Sequence, residues 1–437
     1  MRTRLETLRE QLASTYWIIP AIMVMFSIIL SLVTIHIDQT APPSYLQELG
    51  WLGVDDPDGA RSFLSVVAGS MIGTTGVIFS ITIASLVQAS SQLGPRILNN
   101  FLRDRGNQFV LGTLTATYTY CLFTLKSINN TATSSFVPNL SIITSIVLTL
   151  LSLGALVYFF HHITASLQAD NVITQVGEEL TIAIEKIFPD KTGLFSVDQE
   201  KPEKAPNPTE DNMVINSKRS GYLQAIDRDT LIDVARENDL MMRTELRPGE
   251  FTATEAPLVT VWPRRDGVEE LEERIEKAFI LGDQRLRIQD VEYHLNQLIE
   301  IAVRALSPGI NDPFTAMNCI DQVAASLTQL LERSIPTGYY YDEEDALRLI
   351  TKPLTYTEII ETSFNQIRRN GSDSVSVMVK LLEAIEMLAP QTKTWEQSNV
   401  LREQADRVYK SGKENIPEWD FVYIESKHKA ALRALDV

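Results

Sequence analysis

Four polar side chains, Arg304, Ser307, Asn311 and Asp312, crowd into the segment RALSPGINDP between two amphipathic stretches. A guanidinium, a hydroxyl, a carboxamide and a carboxylate converging beside the positive end of a helix is chemistry that holds an anion or caps a partner chain. The backbone offers a second account of the same residues. Pro308 and Gly309 end one helix, Asp312 is an N-cap, and Pro313 is a favoured first-turn residue of the next. From the sequence both accounts stand. A second set, Ser62, Ser65, Gly69, Gly73, Gly76, Ser80 and Ala84, recurs every three or four positions in an uncharged stretch. Small residues in that register let another backbone approach closely, or leave room for a pore.

Other reactive side chains are scattered. His161 and His162 are adjacent, so on a helix they point about 100° apart and do not clasp one ion from the same face. They read as interfacial residues. Acid runs at Glu269 and Glu270, Glu272 and Glu273, and Asp342 to Asp345 read as solvated helical faces. Cys121 and Cys319 sit in segments of unlike character and suggest neither a disulfide nor a metal site. His36, His294 and His428 are isolated. No Walker loop, dinucleotide fingerprint, GxSxG elbow, HExxH helix or CxxC pair occurs. No catalytic residue, metal or cofactor is expected, and an enzyme is the least supported class.

The elements that carry these residues divide the chain in two. Uncharged apolar segments at 17–35, 62–88, 107–125 and 139–160 are each long enough to cross a bilayer. The first has too long an apolar run for a signal peptide and reads as a retained anchor. Arg2, Arg4 and Arg9 before the first span, and Arg96, Arg103 and Arg105 between the second and third, outnumber Arg61 and Lys126 on the other side. The positive-inside rule then places both termini in the cytoplasm. The 38–61 loop, with Asp38, Glu48, Asp55, Asp56 and Asp58, faces outward. No Asp, Glu, Lys or Arg lies inside the four segments, which disfavours a proton-coupled pump. The second and third spans carry hydroxyls and glycines instead.

Residues 1–170 hold 8 Lys and Arg against 9 Asp and Glu, whereas the rest holds 31 against 47. So acidic a soluble part argues against nucleic acid as a partner. It suits solubility, or the concentration of cations near a pore mouth. The fold class expected is a mainly α membrane protein: four transmembrane helices, then a cytoplasmic α+β region with a small β module and a helical bundle. Residues 1–170 form the membrane domain, 171–212 a stalk helix and an acidic Pro-rich linker, 213–263 the β module, and 264–437 the helical domain.

Three stretches resemble one family. They are RALSPGINDPFTA, the run GSMIGTTGVIFSITIASLVQASSQLGPRIL from Gly69 to Leu98, and SGYLQAID with RPGEF in the β module. The chain is similar over most of its length to the bacterial predicted membrane proteins catalogued as domain of unknown function 2254. The resemblance implies a multi-pass protein of the bacterial cytoplasmic membrane with this layout, and no activity or catalytic residue. The leading expectation for function is a homo-oligomeric channel or channel-like transporter for small ions or solutes, with a cytoplasmic vestibule and membrane lipid as its other partner. The alternative is a membrane-anchored sensor or scaffold whose cytoplasmic domain binds a ligand or partner.

Overall fold

A computed structural model describes residues 16–40, 56–97, 101, 104–131, 134–188, 211–265 and 269–436. Arg2, Arg4, Arg9 and Arg103, on which the orientation partly rests, lie outside the described residues, as do Glu48 and Asp55 and positions 189–210 of the linker. The chain divides into two compact units, one comprising Glu10–Asn171 and the other built on Val172–Val437.

Among its described residues the first unit is built on four long helices, α1 (Ile18–Thr40), α2 (Pro57–Leu93), α3 (Arg105–Ser127) and α4 (Asn139–Ser166), with the short antiparallel strands β1 (Asn129–Thr131) and β2 (Ser134–Phe136) between α3 and α4. Asp56 caps α2 by accepting from the Gly59 amide at 2.9 Å, with Pro57 in the first turn. At 37 residues, α2 is about 55 Å long at 1.5 Å per residue, well beyond the ~30 Å of hydrocarbon in a bilayer. Helices α1, α2 and α4 are long and apolar enough to cross a membrane. The stretch expected as a fourth span, 107–125, does form a helix, but α3 does not belong to that apolar set. Its Asn107, Gln108, Thr113, Thr117, Tyr120 and Thr124 are buried, and α3 packs against all three apolar helices.

Several buried hydroxyls inside this bundle find partners within it, as a low-dielectric surrounding favours. Thr34 Oγ1 lies 2.8 Å from the Tyr120 hydroxyl, and Thr117 Oγ1 lies 2.8 Å from Ser152 Oγ. Tyr120 donates onward to the Ser141 carbonyl at 3.2 Å. Asp38, expected in the outward loop, instead belongs to the last turn of α1. It accepts from the amides of Leu140 and Ser141 at 2.9 and 3.0 Å and from the Ser141 hydroxyl at 2.7 Å. It thereby caps α4, whose own N-cap, Pro138, has no side-chain acceptor to offer.

In the second unit, the apolar stripe of α5 (Ala169–Ile187), the expected stalk, is buried at Ile173, Val176, Leu180 and Ile184. Gly177 lies against Gln322 of α9 (Pro313–Glu332), and Ser326 Oγ donates to the Gly177 carbonyl at 3.3 Å. Two sheets follow. Strands β3 (Met213–Asn216), β7 (Pro257–Trp262), β5 (Met241–Thr244), β10 (Leu347–Ile350) and β9 (Tyr339–Tyr341) lie in that spatial order. Strand β4 (Gly221–Ile226) is flanked by β6 (Phe251–Thr252) and β8 (Phe279–Gly282). Helices α6 (Arg228–Glu237) and α7 (Glu269–Lys277) bury Leu231, Val234, Leu271 and Ile275 in one core with Leu223, Met242, Leu258, Val261 and Leu349.

Three of these strands lie beyond the expected β module, in a region whose apolar periods read as helical. FILG continues without a break from α7, so its four residues are absorbed into the helical period. The acids from Asp342 to Asp345 are not on a helical face: they form the turn between β9 and β10. Asp342 accepts from the Glu344 and Ala346 amides at 2.9 and 3.0 Å and from Arg348 Nε at 2.7 Å. The β10–β5 pair is parallel, while the other strand pairs are antiparallel. Helices α8 (Val291–Ala305), α9, α10 (Tyr356–Asn370), α11 (Val375–Leu388), α12 (Trp395–Asn415) and α13 (Glu418–Leu435) complete a helical bundle, as their periodicity predicts.

Candidate functional site

The small-residue stripe of α2 faces outward. Ser62, Ser65, Gly69, Gly73, Gly76, Ser80 and Ala84 are all exposed, while Leu64, Val67, Ala68, Ile78 and Thr82 turn inward. A β-carbon added at Gly69, Gly73 or Gly76 would meet nothing within 4 Å. Within one chain the stripe therefore neither seats another described helix nor borders an internal opening.

The turn after α8 spends its polar groups on its own backbone. Ser307 Oγ donates to the Arg304 carbonyl at 2.6 Å. Asp312 caps α9, accepting from the amides of Phe314 and Thr315 at 3.1 Å each and from the Thr315 hydroxyl at 2.6 Å. The Thr315 hydroxyl, with the two amides, holds the Asp312 carboxyl below its ordinary range against a modest effect of burial. Asn311 takes a left-handed backbone, φ 50°, and is exposed with Pro308, Gly309 and Ile310. Arg304, Ser307, Asn311 and Asp312 thus share a turn, and the interactions seen there build the turn.

Of the two adjacent histidines, His162 has a specific partner that the sequence does not reveal. Its Nε2 lies 2.6 Å from Asp104 Oδ2, and its ring stacks on Tyr158 with centroids 5.2 Å apart. Asp104 also accepts from the Gly106 amide at 2.8 Å as the N-cap of α3. Gly106 has to lack a side chain, because a β-carbon there would lie 2.7 Å from His162 Nε2. The first unit also holds a cleft of about 650 Å³ among α1, α3 and α4, walled almost wholly by apolar groups such as Phe26, Leu30, Phe109, Leu148 and Leu151.

A chemically better equipped space lies in the second unit, a cavity of about 300 Å³. Its walls come from the end of α5 (Lys186, Phe188), the β4–α6 junction (Ile226, Arg228), the RPGEF turn (Arg247, Pro248), the segment entering α8 (Ile288 to Glu292), Tyr340 of β9, and Thr351 to Leu354. Gly249, at φ 95°, brings that turn against Asp290. Asp290 caps α8 through the Tyr293 amide at 3.2 Å and receives Arg285 Nε and Nη2 at 2.8 and 2.9 Å. Burial pushes the Asp290 carboxyl up to about 6, and the attraction of Arg285 only partly offsets it.

Arg247 organises the other wall. Its guanidinium lies 2.9 Å from Glu358 and 3.5 Å from Glu292, with Glu250 at 3.9 Å. Burial works against its charge, yet these carboxylates outweigh burial and raise its affinity for the proton. Glu358 in turn closes a capping box with Thr355 at the start of α10. Lys352 extends the network to Glu250 at 2.9 Å. Arg228 Nη1 donates to the Tyr340 hydroxyl at 2.5 Å, and its guanidinium carbon sits 5.2 Å from that ring's centroid. Sequence reasoning reads RPGEF only as a turn between strands. The one signal it offers is a glycine in that turn, at the point where the turn presses on the Asp290 and Arg285 side chains.

Residues 13–387 match the family described as Predicted membrane protein (DUF2254). Uncharacterized proteins of Mycobacterium bovis and Mycobacterium tuberculosis H37Rv are each 28% identical over 398 residues, covering 89% of this chain and 74% of theirs. No solved structure matches. With the family matched from before the first helix through α11, the chain belongs to the predicted membrane proteins of DUF2254.

Proposed function

We propose that this membrane protein is an anchored receptor, in which the helical bundle holds the chain in the bacterial cytoplasmic membrane and the second unit binds a small molecule. The observation that carries this reading is the cavity at Arg247, with charged and apolar walls drawn from six separate segments. The membrane unit supports the same division of labour, because the buried hydroxyls of Thr34, Thr117, Tyr120 and Ser152 bond to one another and to backbone inside the bundle. In this reading α3 is a fourth, shielded pass, and both termini and the second unit are cytoplasmic. The test is native mass spectrometry of the full chain purified from its own membranes. A retained small molecule, absent from a Thr351→Trp variant that fills the cavity, supports the receptor reading. The same bound mass on both proteins, or none on either, counts against it.

A channel formed between copies is the second reading, favoured by the outward stripe of α2 and its three open glycines. It requires a homo-oligomer with α2 at the axis. Reconstitution in liposomes tests it: ion or solute flux that a bulky residue at Gly73 abolishes supports a channel, and no flux under voltage, tension or pH change removes it.

A further inference from the structure

We propose that the cavity of the second unit takes a small organic anion, an apolar body carrying a carboxylate or phosphate head; this rests on the receptor reading and names its ligand class. Three exposed cations stand on its walls, Lys186 from α5, Arg228 from the start of α6 and Lys352 from the segment before α10, of which Lys352 is shared with Glu250 at 2.9 Å. The lining also carries an apolar part, formed by the buried Phe188, Ile226, Ile288 and Val291. The two carboxylates among the lining residues are already engaged. Asp290 is held by two nitrogens of Arg285, and Glu292 by Arg247. A cationic ligand would have to compete for them. An anion finds Arg228, which has no carboxylate at ion-pair distance among the described residues and uses one Nη1 donor on Tyr340.

The placement is selective because the surroundings have the opposite sign. The chain beyond residue 170 carries 47 acidic against 31 basic residues, so a cluster of cations around one partly apolar cavity is a local exception. The volume of about 300 Å³ falls at the lower end of ligand pockets, which span roughly 300–1,000 Å³. It suits one or two rings or a short alkyl body with its head at the cationic side. The same chemistry is offered by a soluble metabolite anion and by an anionic lipid.

The experiment uses the full chain in phosphatidylcholine nanodiscs and three probes of one shape: naphthyl phosphate, naphthalenemethanol and naphthylmethylammonium. Equilibrium dialysis measures saturable binding, with the Thr351→Trp protein as the blank for partition into lipid. Naphthyl phosphate binds best, and each of Arg228→Gln and Lys352→Gln weakens it about threefold, as expected for a partly solvated ion pair. Raising the salt to about 1 M, where the screening length falls to about 3 Å, weakens it further. Displacement by added phosphatidylglycerol assigns the anion to lipid, and indifference to it assigns the anion to a soluble molecule. If the alcohol or the ammonium binds as tightly as the phosphate, the anion proposal is overturned while the receptor reading stands. Absence of saturable phosphate binding, or binding indifferent to both rim substitutions, also overturns it; the receptor reading is then judged by the retained-molecule measurement. The two rim residues are exposed, so their variants keep the test valid should Thr351→Trp fail to fold.

Discussion

Gly249 and Asp290 touch so closely that a β-carbon on Gly249 would lie 2.7 Å from the carboxyl carbon of Asp290. The same β-carbon would lie 2.7 Å from Arg285 Nη2, on a residue already at φ 95°. Gly249→Ala therefore combines backbone strain with displacement of a buried ion pair, and should cost on the order of 2 kcal/mol or more. Thermal unfolding of the purified chain reads this directly. Gly309→Ala, where a β-carbon meets nothing within 4 Å, is the matched control and leaves the transition in place.

Asp290 contributes more stability to the second unit in mild acid than at neutrality. Its carboxyl is raised from 3.8 to about 6, by burial first, with Arg285 opposing and Glu292 assisting. The folded state thus binds this proton more tightly than the unfolded chain. The contribution is complete below about pH 4 and is lost as pH rises through 6, a change of about 3 kcal/mol at 1.36 kcal/mol per pH unit. In Asp290→Asn that component vanishes. The stability difference between wild type and variant, followed by denaturant titration, should fall by about that amount between pH 4 and 7. A constant difference refutes the assignment.

At Asp312 the sign reverses. Its carboxyl is held down by the Thr315 hydroxyl and two amides, so its stabilisation is present above the ordinary carboxylate range and fades as pH falls below it. Asp312→Ala should cost about 1 kcal/mol at neutral pH, the usual loss of an N-cap. Asp312→Asn should retain most of the cap and lose its acid sensitivity. Urea unfolding at pH 7 and pH 3 separates the two variants.

The contact of Asp104 with His162 joins the start of α3 to α4. Asp104→Ala removes both this contact and the helix cap, whereas His162→Gln removes the imidazole contact and its stacking on Tyr158 but leaves the cap. The first should destabilise the bundle by about 1 kcal/mol more than the second, from the lost cap. Unfolding in mixed detergent, followed by helical circular dichroism, checks the order.

The outward stripe yields a prediction with two readouts. Gly73→Leu meets no neighbour within the chain and gains helix propensity of roughly 0.5–1 kcal/mol, so the single-chain fold should tolerate it. Gly73→Cys should cross-link copies in native membranes, and a leucine at Gly76 should suppress that cross-link. A cysteine that never cross-links would remove α2 as the seam between copies.

Much of this architecture is legible from pattern. The helices α1, α2 and α4 declare themselves by uncharged apolar length, and α8 to α13 by periodic apolar positions. The cap at Asp312 is read from Asp followed by Pro, whereas Asp56, expected in the outward loop, turns out to cap α2. The sheet is harder, because β10 pairs with β5 across a long interval and its LRLI carries too few residues to show a period. Helix α3 looks like another span, yet its threonines and Tyr120 are polar because other helices cover them. The cavity is the least legible. Arg247, Asp290, Tyr340 and Lys352 are individually ordinary, and only the tertiary fold brings them around one cavity.

The pairing of Met242 with Leu349 and Arg243 with Ile350 also sets an order of events during synthesis. Until residue 350 has left the ribosome, β5 has β7 on one side and an open row of amides and carbonyls on the other. The nascent second unit therefore passes through a stage in which a strand edge is bare while α8 and α9 are already made. Closing that edge late, after a loop with a high entropic cost, makes this the step at which a chaperone or a neighbouring nascent chain has its opportunity. A fragment ending at the β module as the sequence suggests it, near residue 263, would keep that edge open permanently.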